Sequence, residues 1–308
     1  MKKDTNSDMN FDHFWDFSYP EQTEIRFQEI LCGLKSLDKP NPSLRIELLT
    51  QIARSQGLQG KLLEAEATLS DAETCLDQNI SNYQVSARVR FLLEKGRILC
   101  LLKTPALARP LLSEAWTLAS QSGEDFHAID AAQMMASIEP PKMQKDWTLK
   151  ALGLAESSMD PRAKQWLGAL YSTLGWHAYE LHQYDKAMEL FSKALHCLQS
   201  DLEASNNDSV LIKRVLVAKW SVAKTLRVQG HVEAALKIQE ELMAELQRSD
   251  SRNGDVCEEL AECLTLLKRT NEAAVYFEIA YNELSKDERV VDNMPDRMRR
   301  LKSLGKVK

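Results

Sequence analysis

The sequence predicts an all-α, right-handed α-solenoid (superhelix) of about six helical hairpins, closed by capping helices at both ends. Three observations predict it. Only 11 glycines and 9 prolines occur among 308 residues, about half of the usual share of roughly 12%. Sandwiches, barrels and glycine-rich nucleotide folds need more left-handed turns and close backbone approaches than this supplies. The composition, 44% apolar and 27% charged with a net charge of −6, is that of a globular chain rather than a disordered or fibrous one. Finally, one frame of small residues recurs along the chain, the mark of stacked hairpins that bury their faces only against their neighbours.

The elements follow in order. Residues 1–10, MKKDTNSDMN, have no apolar run behind their lysines and are expected to be disordered. No stretch approaches the roughly 18 apolar residues of a membrane span, so a cytoplasmic chain is expected. Ser18-Tyr19-Pro20-Glu21 has the form of a capping box and opens a helix to about Leu37, with Ile25, Phe27, Ile30, Leu31 and Leu34 as its apolar positions. Phe11, Phe14, Trp15 and Phe17 are expected to cover the open end of the array, and Asn41-Pro42-Ser43 supplies the next turn. Residues 1–45 are therefore read as a disordered start and an N-terminal capping helix.

Residues 46–290 hold the repeats. The clearest is 168–195, GALYSTLGWHAYELHQYDKAMELFSKAL, where Leu174-Gly175 precedes Tyr184, Ala187, Phe191 and Ala194 at helical spacing. Here the sequence resembles the tetratricopeptide (TPR) repeat, in which a small residue on helix A admits helix B and small and large apolar residues interlock. The frame recurs as Ala53, Ala65, Leu69 and Ala72 in a repeat starting at 46, and as Gly96, Ala108, Leu112 and Ala115 in one starting at 89. Ala223, Gly230 and Ala235 fill it from 216, and Ala261, Ala273, Phe277 and Ala280 from 254. A repeat starting at 129 fits only through Ala136 and Ala155, because Glu139-Pro140-Pro141 falls where helix A should end; a longer or distorted turn is expected there. The spacings exceed the 34 residues of the minimal repeat, so extra helical turns or connections such as SDLEASNNDS at 200–209 must absorb the difference. Residues 291–308 form a last, basic helix with Arg297, Arg299, Arg300 and Lys302. It reads as a polar cap in preference to a nucleic-acid patch, since no aromatic residue interleaves its charges.

Three longer stretches, FDHFWDFSYPEQTEIRF, DPRAKQWLGALYSTLGW and EELAECLTLL, look like those of a bacterial group of multi-TPR proteins. The resemblance implies protein or peptide recognition in a concave groove lined by the A helices. Carried onto this frame, it gives as peptide-binding candidates Arg54, Arg97, Gln133, Met134, Trp176, Tyr179, Trp220, Lys224 and Arg227. Gln51, Glu94, Asp130, Ser137, Ser172, Thr173 and Ser221 line the same face, as do Glu258, Glu259 and Glu262. Trp176, Tyr179 and Trp220 beside Lys224 and Arg227 combine apolar area with cationic donors, as an anchor site does. The alternative for both tryptophans is packing between repeats with their N–H groups satisfied locally. Ser172, Thr173 and Trp176 stand where a TPR carboxylate clamp would have its lysine and asparagine, so a chaperone-tail clamp is not supported.

Nothing points to catalysis, cofactors or metals. Gly57-Leu58-Gln59-Gly60-Lys61 lacks the strand and the Ser or Thr of a phosphate loop, and His177 and His182 are wrongly spaced for a metal pair on one helix face. Six scattered cysteines without a C-x-x-C pair read as buried thiols, and the sequons at Asn79 and Asn207 carry no weight in a chain that is not secreted. The function expected is a non-enzymatic binding module for a protein or peptide segment, acidic or carboxylate-ended; membrane and nucleic acid are disfavoured as partners. A peptide-sensing regulator resembling bacterial pheromone receptors is the alternative, although residues 1–45 are short for the effector domain of such a receptor.

Overall fold

The computed structural model describes residues 11–35, 41–78, 84–205, 208–248 and 251–307. They are helical hairpins throughout, in two compact units, Met1–Trp166 and Leu167–Lys308. The N-terminal unit begins with a 3-10 turn, Phe11–Phe14, and a helix α1 (Pro20–Lys35) packed on α2. Its three hairpins are α2 (Pro42–Leu58) with α3 (Leu62–Gln78), α4 (Val85–Leu101) with α5 (Pro105–Ser122), and α6 (Asp125–Ile138) with α7 (Pro141–Ser157). A short helix α8 (Pro161–Lys164) lies against α6. The C-terminal unit pairs α9 (Leu167–Glu180) with α10 (Tyr184–Ala204), α11 (Ser209–Val228) with α12 (Val232–Arg248), and α13 (Gly254–Leu266) with α14 (Thr270–Leu284). It finishes in α15 (Glu288–Asn293) and α16 (Pro295–Leu304), the latter packed on α14. Among the described residues there is no strand, and no helix is long and apolar enough to cross a membrane.

Each hairpin depends on the close approach of its two helices. At Gly175 an added Cβ would lie 2.6 Å from Cε1 of Phe191, a side chain with no exposed surface, and at Gly96 it would lie equally close to Leu112. The alanines of the frame, Ala53, Ala65, Ala72, Ala108, Ala115, Ala187, Ala194, Ala223, Ala235, Ala261 and Ala280, are all fully buried. Ala136, in the poorest repeat, is only half-buried.

The turns repeat as faithfully as the cores. Gly60, Lys103, His182, Gly230 and Lys268 each adopt a left-handed conformation, with φ of 75°, 59°, 57°, 89° and 62°. In every case the next residue's N–H reaches the carbonyl five residues back at 2.9 Å: Lys61 to Gln56, Thr104 to Leu99, Gln183 to Ala178, His231 to Leu226 and Arg269 to Leu264. This is the Schellman closure, which satisfies carbonyls left over at a helix end. Gly57–Lys61 is thus a hairpin turn and no phosphate loop.

Several expectations need correction. The turn at Glu139-Pro140-Pro141 is short, not extended: α6 ends at Ile138 and α7 starts at Pro141. Proline at the first helical position sacrifices no hydrogen bond, and Glu139 takes the extended backbone that a following proline demands. The stretch 200–209 is not all connection, since α10 runs on to Ala204; extra helical turns absorb part of the long spacing. No capping box forms at Ser18, because Pro20 opens the helix and leaves Ser18 outside it. Instead the Asp16 N–H donates to the Thr23 hydroxyl, which in turn donates to the Asp16 carbonyl, both at 3.1 Å. Within α1 Phe27 and Leu34 are buried, whereas Ile25 is exposed, as is Phe17 ahead of it. Residues 1–10, Leu37, Asn79 and Asn207 lie outside the described residues. Cys75, Cys257 and Cys263 are buried, but Cys32 is exposed. Burial pushes the Cys257 and Cys263 thiols up to about 11 and about 12.

Two measurements check this packing. Gly175→Leu should lower stability by roughly 1–3 kcal/mol, the usual penalty for overpacking a core contact, read as a fall in denaturation midpoint. Lys268→Gly should raise stability by about 1 kcal/mol, because glycine carries no Cβ penalty in the left-handed turn.

Candidate functional site

The A helices α2, α4 and α6 of the N-terminal unit, and α9, α11 and α13 of the C-terminal unit, present the charged and aromatic residues that the repeat frame assigns to binding. In each unit the cations are already joined to carboxylates. Glu94, whose side chain is only 4% exposed, takes Arg54 at 3.5 Å and Arg97 at 3.0 Å, and Arg97 also donates to Asp130 at 2.7 Å. Desolvation opposes the charge on Arg97, yet its two carboxylates outweigh it and raise its pKa further; Asp130 in return is held below the usual carboxylate range. Glu47 on α2 meets Arg90 on α4 at 3.4 Å. Glu47, Arg90 and Asp130 are each the second residue of their repeats, so acid, base and acid follow one another from helix to helix.

In the C-terminal unit Arg227 makes two hydrogen bonds to Glu259, and Lys224 stands 3.6 Å from the same carboxylate, which is almost wholly buried. On the other side of α13, Glu258 takes Arg297 and Arg300 from α16 at 2.5 and 2.6 Å, and Glu262 takes Arg300. The basic last helix therefore works as a cap. Met298 and Leu301 bury its inner face in the core around Phe277, and its arginines neutralise the acids of α13.

Beside these ion pairs runs a row of half-buried rings. Tyr184 meets Tyr179 at 5.3 Å between centroids, Tyr179 meets Trp176 at 5.3 Å, and Trp176 meets Trp220 at 5.5 Å. The first two are edge-to-face and the third is tilted, contacts that hold rings rigid while leaving an edge or face free. The Trp220 indole N–H donates to the Asp255 carbonyl at 3.2 Å, which satisfies it locally, and the Lys224 ammonium sits 4.7 Å over the Trp220 ring. Five of the candidates, Trp176, Tyr179, Trp220, Lys224 and Arg227, thus form one patch. Among the rest, Arg54 and Arg97 share Glu94, whereas Met134 is buried and Gln133 has its side-chain nitrogen buried without a hydrogen-bond partner.

The N-terminal unit also contains a cavity of about 330 Å³, lined by Trp15, Phe17, Gln51, Arg54, Arg90, Leu93, Glu94, Phe126, His127, Asp130, Arg162 and Gln165. Gln51, Arg54, Glu94 and Asp130 belong to the face that the repeat frame picks out. Trp15, Phe17 and Arg162 were not foreseen, since the N-terminal segment and α8 reach the cavity through tertiary packing alone; Phe126 and His127 stand on α6 ahead of the repeat start at 129. Trp15 is pinned to α2 by its indole N–H, which donates to Gln51 at 2.8 Å. His127 is 4% exposed and its Nδ1 has no hydrogen-bond partner. Burial, reinforced by the positive charge of Arg90, pushes its pKa from 6.5 down to about 3. The unfolded chain consequently binds a proton near neutrality that the folded chain refuses, so stability is lost as pH falls below about 6.5. From pH 7 to pH 5, above the carboxylate range, the loss should reach about 2 kcal/mol, and His127→Gln should flatten it in denaturation measured across that window.

No family model and no curated protein matches the sequence. Solved structures do. A signal transduction ATPase with numerous domains from Pyrococcus horikoshii, bearing a tetratricopeptide repeat sensor, is 14% identical with a TM-score of 0.67; the match covers 92% of this chain but 41% of that one. This chain thus spans well under half of that protein's length. The apo form of the quorum sensor NprR from B. thuringiensis is 14% identical with a TM-score of 0.60, covering 94% of this chain and 78% of that one. NprR in complex with its cognate peptide NprX gives 14% and 0.51, covering 94% and 81%. At such identities the likeness is one of fold, and that fold is an all-α, TPR-like multi-repeat solenoid.

Proposed function

We propose that the chain is a cytoplasmic, non-enzymatic scaffold that binds a protein or peptide segment on the A-helix face of its C-terminal unit. The observation that carries this reading is the ring row Tyr184, Tyr179, Trp176 and Trp220 with Lys224 over its end. Rigid, half-exposed aromatics beside a cation supply the anchor typical of recognition surfaces. Two cations, Lys224 and Arg227, share the one carboxylate of Glu259, so the patch has a local positive excess in a chain of net charge −6. An acidic or carboxylate-ended segment complements that excess. Arg227 is the structural partner of Glu259 and Lys224 is the one able to turn outward. The alternative, a peptide-sensing regulator, gains support from the likeness to NprR, and peptide-induced compaction in small-angle scattering would favour it.

The two cations separate in their mutants. Lys224→Ala should raise Kd for an acidic peptide by about tenfold with the denaturation midpoint unchanged. Arg227→Ala should cost roughly 3 kcal/mol of stability, because it strands a buried carboxylate. Added salt should weaken binding without abolishing it, since the ring contacts are not screened. Wild-type affinity in both Lys224→Ala and Trp176→Ala would overturn the assignment.

A further inference from the structure

The cavity of the N-terminal unit is separate from the peptide surface proposed above, and its chemistry is different. Glu94 and Asp130 are each more than nine-tenths buried in its wall, together with the guanidinium groups of Arg54, Arg90 and Arg162. Behind them stand Arg97 on the two carboxylates, Glu47 on Arg90 and Asp160 on Arg162. With Glu124, 3.9 Å from His127, four arginines face five carboxylates. A wall of both signs does not draw in a simple anion, which desolvated carboxylates would repel; it suits a ligand that carries both signs.

Arg54 is the donor held in reserve. Its guanidinium lies 5.6 and 5.8 Å over the Trp15 and Phe17 rings, makes only a long 3.5 Å ion pair to Glu94, and forms no hydrogen bond with the described residues. Glu94 keeps Arg97 when Arg54 turns away. Asp130 uses one oxygen for Arg97, and the Nδ1 of His127, without a hydrogen-bond partner and 3.9 Å from Glu124, lies three residues before it on the same helix. Phe17, 63% exposed although its ring stacks on Trp15 at 4.9 Å, stands at the rim, and Phe126 lines the wall. A volume of about 330 Å³ is at the small end of ligand sites, which run from about 300 to 1,000 Å³.

We infer that this cavity binds a free α-amino acid with an apolar or aromatic side chain: Arg54 takes its carboxylate, Asp130 and Glu94 take its ammonium, and Phe17 and Phe126 cover its side chain. A guanidinium held 5.6 and 5.8 Å from two ring centroids spends no hydrogen bond on them, so its fork of donors remains for a carboxylate. The ammonium replaces the positive charge that Arg54 withdraws from Glu94, so no buried carboxylate is stranded during exchange.

The test is calorimetric titration of the full chain with L-phenylalanine and L-leucine, with N-acetyl-L-phenylalanine, L-phenylalaninamide and acetate as comparison ligands. Saturable binding of at least one free amino acid is expected, weakened about tenfold or more when either the ammonium or the carboxylate is blocked. Arg54→Gln should weaken it by about tenfold. Phe17→Ala, which removes an exposed ring and leaves the buried core intact, should weaken it severalfold and carries the test if Arg54→Gln does not fold. The inference is overturned by no saturable binding up to about 10 mM, by equal binding of N-acetyl-L-phenylalanine, or by wild-type affinity in the variants that fold. Neither substitution touches Trp176, Trp220 or Lys224, so failure here leaves the peptide reading standing.

Discussion

The near-contact of helix A with helix B inside each hairpin is the constraint on which everything else rests. A glycine or alanine at the crossing lets a large side chain from the opposite helix, Phe191 or Leu112, fill the gap left by the missing Cβ. That fit fixes the rotation of each A helix about its own axis. The opposite side of the helix is then presented in a set orientation, which is why Glu94 can meet cations from α2 and from its own helix at once and why Trp176 meets Trp220. The ion pairs and ring contacts on the far side of the A helices are therefore a by-product of core packing against the B helices.

Charge is organised as a second layer on that scaffold. Almost every cation of the A-helix face has a carboxylate from the next helix, and the deepest carboxylates, Glu94 and Glu259, each serve two cations. Sharing of this kind leaves one cation per pair less strongly held, Arg54 in one unit and Lys224 in the other. Both of these lie over tryptophan rings. Stacking on an aromatic face is a way to store a charge without spending its hydrogen bonds.

The hairpins were legible because their signal is local. Gly175, Phe191 and the alanines stand at spacings that a single strip of sequence displays, and five left-handed turns sit where the frame leaves room for them. Glu139-Pro140-Pro141 misled because proline breaks a helix from inside but starts one from its first position, and only the register of α7 decides between the two. The aromatic patch was legible from Trp176, Tyr179 and Trp220 once the frame was set. The cavity was not. Its Trp15, Phe17 and Arg162 come from segments outside the repeat, and no periodicity links them to His127. One signal was nonetheless present: Glu47, Arg90 and Asp130 hold equivalent places in consecutive repeats with alternating sign, and the first two pair between neighbouring A helices.

The final helix has a bearing on assembly. Stacked hairpins end in an apolar face that could seat a further hairpin from another molecule, and such head-to-tail contacts propagate into filaments when nothing closes them. Here α16 lays Met298 and Leu301 over that face, while Gly305 comes so close to α14 that an added Cβ would lie 2.6 Å from the Glu278 nitrogen. Its outer side offers Arg299 and Lys302, both exposed. A second copy stacking there would have to strip water from charges with nothing to exchange for it, so this end of the C-terminal unit disfavours polymerisation.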